Sequence, residues 1–319
     1  MPEVFNRCAI CGSRLSGGLD LLNGQHVCEH CLSLTFVCDC CHGRDFTYNR
    51  RRHLQTYVCV ECYQTSTTWM QSQFQAETSY VKTRSKRCFG VELETTRCDS
   101  YMNLKDKTLF GAKYDCSVGG MEFVSPILFG DAGLDVVQEF CDLAESNNFL
   151  VGDDCGYHLH LDMGAESEIA LKSVAYAYLK TDSLWRLLVT EDRAKNCGYC
   201  RKPSYIRRHI QDIDPGAFAD FCEGTDRYSL CNLQAYTKFG TYEIRLHQGT
   251  IHGMEVCNWI KAHLAFVDWA VNRTLDDIDS AFDGSEADKW ESLKAIIGDI
   301  NLNRYYGRRW RSRLGVSVR

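Results

Sequence analysis

The sequence predicts an α+β chain behind a small cysteine-rich module, on three observations. Cysteines crowd the first 62 residues in paired spacings, short segments alternate polar with apolar residues, and helix-period stripes lie between and after those segments. A length of 319 residues suffices for one sizeable core plus an appended module. The net charge of -6 and the pI near 5.9 argue against a general nucleic-acid or membrane-surface binder. No run of about 18 apolar residues occurs. Glu3, Asn6, Arg7 and Cys8 also break any apolar start, so the expectation is a soluble, cytoplasmic protein with no membrane partner.

The cysteine-rich module comes first, over residues 1–66. Cys8 and Cys11, Cys28 and Cys31, Cys38 and Cys41, and Cys59 and Cys62 form four CxxC knuckles. The offset from Cys8 to Cys38 is 30 and that from Cys28 to Cys59 is 31, as for one short unit present twice. Each unit supplies four thiolates for one tetrahedral ion, so two structural Zn²⁺ are expected. A region this short buries too little to fold readily without such staples. Cys40 is an alternative to Cys41, and His26, His30, His42 and His53 are alternative ligands. Cross-braced pairing competes with the sequential pairing that the duplication favours. Arg50, Arg51 and Arg52 read as a solvated turn more simply than as a phosphate grip. Residues 67–86 turn to Gln, Ser and Thr and read as a linker into a domain over 87–319.

That domain opens with Phe89, Gly90, Val91, Glu92, Leu93, Glu94. Strand side chains alternate faces, so Glu92 and Glu94 point the same way with Cα atoms about 6.5 Å apart. Such carboxylates can converge on a hard divalent cation, although a lone pair is more simply a solvated strand face. A second strand carries Glu122 and ends at Pro126. Residues 134–149 follow as a helix with Leu134, Val137, Cys141 and Ala144 on one stripe. Strict alternation then puts His158, His160 and Asp162 on one face. A helix from about Glu166 to Thr181 comes next, and residues 190–226 look irregular. A further alternating strand sets Glu243, Arg245 and His247 on a shared face. Two helices close the chain, one striped by Val256, Ile260, Leu264, Val267 and Val271 and the other over 285–300. Trp259 and Trp269 read as core. The late arginines among Tyr305, Tyr306 and Trp310 read as the solvated side of a packed helix, with nucleic-acid stacking as the alternative.

Four short strands with polar faces argue for one shared site. Several carboxylates with a histidine suit two or three Mg²⁺ or Mn²⁺ ions, and a neighbouring arginine suits a transferring phosphoryl group, which together suggest ATP-dependent chemistry. No GxxxxGK[ST] loop and no strand-borne GxGxxG is present.

The motifs FGVELE at 89–94, KYDCS at 113–117, GGMEFVSP at 119–126, CGYHLHLD at 155–162, YSLCNLQ at 228–234 and TYEIRLHQGT at 241–250 together resemble the amidoligase family. Zinc-ribbon or treble-clef knuckles ahead of the ligase also occur in that family. The resemblance implies a glutamine-synthetase-like antiparallel sheet with helices packed on one face. It implies an ATP-dependent carboxylate-amine ligase that forms an amide through an acyl phosphate. On it, Glu92, Glu94, Glu122, His158 and Glu243 are magnesium ligands, and His160 orients substrate or phosphate. Arg245 stabilises the transferring phosphoryl, while Lys113, Asp115 and Asn232 stand on the cofactor side. The substrates are a carboxylate and an amine, which include peptides and proteins, and the zinc module can recruit a macromolecular partner. Two rivals are an inactive zinc-ribbon adaptor for peptide or nucleic acid and a metal-dependent hydrolase that needs no ATP. Cys197 and Cys200 form a fifth CxxC without a second pair, and Arg193–Tyr205 reads as a candidate lid or acceptor-binding loop.

Overall fold

The computed structural model describes residues 8, 13, 15, 19–20, 26–38, 44–46, 51–53, 56–58, 85, 87–98, 108–115, 118–195 and 198–313. In chain order the strands of the main sheet are β1 (Cys88–Thr95), β2 (Gly111–Asp115), β3 (Gly120–Val124), β4 (Leu128–Phe129), β5 (Gly156–Asp162), β6 (Cys231–Asn232) and β7 (Thr241–Gln248). They lie in the order β6-β7-β5-β1-β3-β2, with β4 beside the first residues of β1. Every pairing is antiparallel, which is the α+β arrangement expected. The strand that opens the domain in sequence is thus central in space.

Alternation divides the sheet into two faces. Phe89, Val91, Leu93, Phe123, Tyr157, Leu159, Leu161, Tyr242 and Ile244 join the helices in one apolar core. Those helices are led by α1 (Gly130–Ser146) and α2 (Glu168–Arg186). Burying a Leu or Phe side chain in this way contributes roughly 1.5–3 kcal/mol, so the apolar face fixes the register of each strand. α1 begins four residues before the expected start and stops at Asn147, with Asn148 at φ 56 closing its end. Ser167 caps α2 by accepting from the Ala170 amide at 3.3 Å.

The stretch expected to be irregular holds three short helices, α3 (Glu191–Ala194), α4 (Arg207–Gln211) and α5 (Phe218–Glu223). Tertiary burial of Arg193, Ile210, Phe218 and Cys222 sustains them where local periodicity is too brief to read. α6 (Gln234–Phe239) links β6 to β7. The described residues close with α7 (Gly253–Ala270), α8 (Leu275–Ala281), α9 (Glu286–Ile297) and α10 (Ile300–Arg313). Trp310 of α10 stacks on Trp290 at 5.4 Å, Tyr306 is buried and Arg309 pairs with Glu255 at 2.5 Å, while Arg304 and Arg308 are exposed.

One irregularity corrects the sequence reading of β7. Leu159 faces Ile244 but Tyr157 faces His247, so Arg245 and Leu246 stand opposite His158 alone. This bulge breaks the alternation and turns His247 toward the core. There it is fully buried, 5.3 Å from the Tyr157 ring and 4.7 Å from the Trp259 ring. His247 therefore leaves the face of Glu243 and Arg245. Asp162 also serves structure, its Oδ1 accepting from the Gly164 amide at 2.9 Å.

In the cysteine-rich module, three two-stranded pairings are described: Leu19–Asp20 with His26–Val27, Thr35–Val37 with Arg44–Phe46, and Arg51–His53 with Thr56–Val58. A 3-10 turn spans Glu29–Leu34. The backbone of Arg51–His53 lies against α6. No helix among the described residues is long and apolar enough to cross a membrane.

Candidate active site

The polar face of the sheet collects the acids and histidines into one cluster. β1 contributes Glu92 and Glu94, and the register sets His158 opposite Glu92 and Glu122 opposite Glu94. Lys113 on β2 stands opposite Glu122, and Glu243 on β7 stands opposite both His160 and Asn232. His158 is the hub. Its Nδ1 lies 3.2 Å from Glu92 Oε2 and 3.5 Å from Glu243 Oε1, and its Nε2 lies 3.7 Å from Glu94 Oε1. His160 Nε2 is 3.4 Å from Glu92 Oε1, while its Nδ1 is 2.9 Å from Thr241 Oγ1. Thr241 thereby fixes that ring.

Neighbouring charges settle which acids stay ionised. Burial pushes the Glu122 carboxyl up to about 8; its hydrogen bond with Glu92 reinforces this, and Lys113 at 2.9 Å opposes it. Burial would also raise Glu92, but hydrogen bonds from His158 and His160 prevail and hold it below the usual carboxylate range. Glu243 is buried too, yet Arg245 and the two histidines keep it low. His160 moves the other way, because Glu92 and Glu243 outweigh the burial that disfavours its charge. In the protein alone, burial and the Glu92 contact favour the neutral form of Glu122, while the two histidines favour the ionised form of Glu92. A cation is the other way to relieve such crowding.

The donor set fits one. Glu92, His158 and Glu243 each offer a ligand atom, all within 4.8 Å of one another. Carboxylates with a single imidazole match a Mg²⁺ or Mn²⁺ site better than a soft-metal one. Glu243 is held from its far side, since Asn232 Nδ2 donates to Oε2 at 2.6 Å. Its Oε1 accepts from Arg245 Nη1. Arg245 Nε also reaches the Tyr199 carbonyl at 3.4 Å. The expected site residues on β1, β2, β3, β5 and β7 therefore converge, and Asn232 belongs with them through Glu243. Asp115 lies on β2, opposite Gly120.

Beside this cluster opens a polar cavity lined by Glu94, Asp154, His158, Arg193, Tyr199 and Arg245. Asp154, Arg193 and Tyr199 are not among the sequence candidates. Arg193 is buried, donating to the His247 carbonyl at 2.9 Å and the Arg245 carbonyl at 3.3 Å. Gly156 lies close to two of the lining side chains. A Cβ there would stand 2.8 Å from Arg193 Nη2 and 2.9 Å from His158 Nε2. The sequence signal for this wall was limited to the charged stretch Arg193–Tyr205, from which two lining residues come.

In the module, Cys8, Cys28 and Cys31 bring their sulfurs within 4.8 Å of one another, a group able to hold a metal ion. They include three of the four residues expected for the first set. Cys38 is buried. Cys11, Cys40, Cys41, Cys59, Cys62 and Cys197 lie outside the described residues, as does the linker apart from Ser85.

Comparison with curated proteins found no match. The family described as "putative amidoligase enzyme" matches residues 97–267. The matched segment holds Lys113, Glu122, His158, His160, Asn232, Glu243 and Arg245, and Glu92 and Glu94 precede it on the strand that pairs with its members. Since 171 of the 319 residues fall within the match, and they include most of those that build the polar face, the chain belongs to the amidoligase family, enzymes of the ligase class.

Proposed function

We propose that the protein joins a carboxylate to an amine in an ATP-dependent reaction on a glutamine-synthetase-like sheet. The observation that carries this reading is the fixed pair of Glu243 and Arg245, a candidate cation ligand bonded to a guanidinium at the wall of the cavity. Such a pair places positive charge where a phosphoryl group bound to the cation would transfer. In the proposed sequence, a substrate carboxylate oxygen attacks the γ-phosphorus of ATP and ADP leaves. The amine then attacks the acyl carbon, phosphate departs with the bonding electrons, and the amine gives up a proton to form the amide.

The chain's own residues have distinct parts in this. Glu92, His158 and Glu243 hold a Mg²⁺ or Mn²⁺ ion, with Glu94 and Glu122 as further carboxylates for a second. Ions in these positions would neutralise triphosphate charge. Asn232 orients Glu243, and Thr241 orients His160 toward the bound phosphate or substrate. Lys113, poised on Glu122, and Asp115 on the same strand serve the nucleotide. Arg245 meets the charge that develops on the transferring phosphoryl group, with its other nitrogens already committed to Glu243 and the Tyr199 carbonyl. In the module, Cys8, Cys11, Cys28 and Cys31 hold one structural zinc and Cys38, Cys41, Cys59 and Cys62 a second. We place the protein in the cytoplasm, where such thiols stay reduced.

The test is ADP release from Mg-ATP across a panel of carboxylates and amines, with ¹⁸O in the carboxylate. Release that needs both Mg²⁺ and a carboxylate, with ¹⁸O passing to phosphate, is expected. Arg245→Ala should lower it by about 10²–10³-fold. Arg245→Lys and a melting curve separate lost chemistry from lost folding. ADP release at the wild-type rate in the alanine variant, or amide formation without ATP, would overturn the assignment.

A further inference from the structure

At the mouth of the cavity the structure assigns a role to the Tyr228 ring: with Arg201 and Arg227 it forms a subsite for an anionic group on the carboxylate substrate, apart from the carboxylate that reacts. This inference rests on the ligase reading above and names the class of substrate, a polycarboxylate in the form of a small diacid or an acidic peptide.

Three guanidinium carbons surround one ring. Arg227 lies 5.0 Å from the Tyr228 centroid, Arg201 5.6 Å and Arg245 5.8 Å. The cluster joins the cavity directly, because Arg245 and Tyr199 line it and the Tyr199 ring meets Tyr228 edge-on at 6.0 Å. The scaffold beneath is fixed by backbone bonds. The Arg201 amide donates to the Tyr228 carbonyl at 2.6 Å, and the Leu230 amide donates to the Arg201 carbonyl at 2.9 Å.

The charges on the cluster are unequally matched. Arg245 is bonded to Glu243, and Arg201 to Asp226 at 3.1 Å, the latter at the exposed rim, where solvent screens the pair. Arg227 is exposed and has no carboxylate partner among the described residues. A tyrosine flanked by guanidinium groups holds cations in place at little entropic cost, since each can rest on the ring. It is correspondingly poor at stacking a nucleobase, which would have to displace them. What the rim offers beyond Arg245 is the unneutralised guanidinium of Arg227 beside the screened Arg201–Asp226 pair, in a chain whose net charge is -6. That arrangement selects a carboxylate carrying a second negative group.

The full chain, loaded with Mg²⁺ and a non-hydrolysable ATP analogue, tests this by calorimetric titration with four probes: glutarate, pentanoate, tetraglutamate and tetraglutamine. Glutarate should bind about tenfold or more tighter than pentanoate if the source is a small diacid, or tetraglutamate than tetraglutamine if it is a peptide. The Arg201→Gln/Arg227→Gln double variant should lose that preference while its affinity for the ATP analogue stays at the wild-type value. Equal binding of glutarate and pentanoate together with equal binding of tetraglutamate and tetraglutamine would overturn the subsite. A double variant that instead loses affinity for the ATP analogue would also overturn it, assigning the rim to the nucleotide. Turnover is not read here, so a failure of the ligase reaction itself shows separately, as absent ADP release with the anion preference intact.

Discussion

Gly156 carries as much of the site as any acid does. Its amide donates to Glu94 Oε2 at 2.5 Å, and the absence of a side chain leaves the space shared by His158 and Arg193. Adding one methyl forces both to shift, because contacts under 3.0 Å do not persist around a real Cβ. Overpacking of this kind costs about 1–3 kcal/mol. Gly156→Ala is therefore expected to lower the melting temperature modestly and to weaken Mn²⁺ binding by about tenfold or more, followed by paramagnetic titration. Wild-type Mn²⁺ affinity in that variant would show that His158 does not need its present position. At this scale the sequence was informative wherever a residue sat in a regular strand. For Glu92, Glu94, His158, His160 and Glu243, parity gave the shared face of each strand, while their grouping into one site came from the recurrence of polar faces on four strands and their roles from the family resemblance. Asp154, Arg193 and Tyr199 come from turns and short helices, where no period relates neighbours in sequence to neighbours in space. His247 obeyed parity in sequence and departed from it in the fold, because a one-residue bulge is invisible to the pattern.

Among elements, β7 and α7 show what that bulge creates: a layer of buried histidine beneath the active-site sheet. Burial holds His247 down to about 4, against an ordinary value near 6.5, despite the nearby Glu255. His263 is likewise lowered by burial, its Nδ1 2.9 Å from the Tyr178 hydroxyl and its ring stacked on Trp185 at 4.0 Å. The sign follows from linkage. Between pH 6.5 and 4 the unfolded chain binds a proton at His247 that the folded chain refuses, so stability is full above 6.5 and is lost as pH falls toward 4. A shift of this size corresponds to roughly 3 kcal/mol. Glu243 and Glu255, both held low, add their own losses once the pH falls below the ordinary carboxylate range. Glu122, pushed up to about 8, and the raised His160 work the other way, because the folded chain binds their protons first. The His247 contribution is therefore read as a difference: between pH 7 and 4.5, His247→Gln should lose less melting temperature, or gain more, than the wild type. An unchanged slope in the variant would place the proton uptake elsewhere. The helices of this layer were legible from their apolar stripes to within a few residues. The short helices α3, α4 and α5 were not, since their stability is tertiary.

Over the whole molecule, the module and the ligase domain have separate hydrophobic clusters. Cys8, Val27 and Cys31 form one, and the sheet with its helices forms the other. One link between them is the placement of the Arg51–His53 backbone against α6. That short helix is bounded by site residues at both ends. Asn232, which holds Glu243, precedes it and accepts from the Gln234 amide at 3.0 Å; Phe239 meets His160 edge-on at 5.9 Å, and Thr241 bonds the same ring. In chain order the paired strands Arg51–His53 and Thr56–Val58 fall inside the second cysteine set, between Cys41 and Cys59. With two zinc ions as proposed, Cys28→Ser and Cys38→Ser should each leave one ion by native mass spectrometry, yet differ in reach. Losing the second ion releases the paired strands, so Cys38→Ser should speed amide exchange across 234–239 and loosen Glu243. Cys28→Ser acts on the first set and should leave that exchange near the wild-type rate. Three zinc ions in the wild type would bring Cys197 and Cys200 into a metal site. Equal exchange at α6 in both variants would mean that the module is tethered to the ligase domain without bracing it.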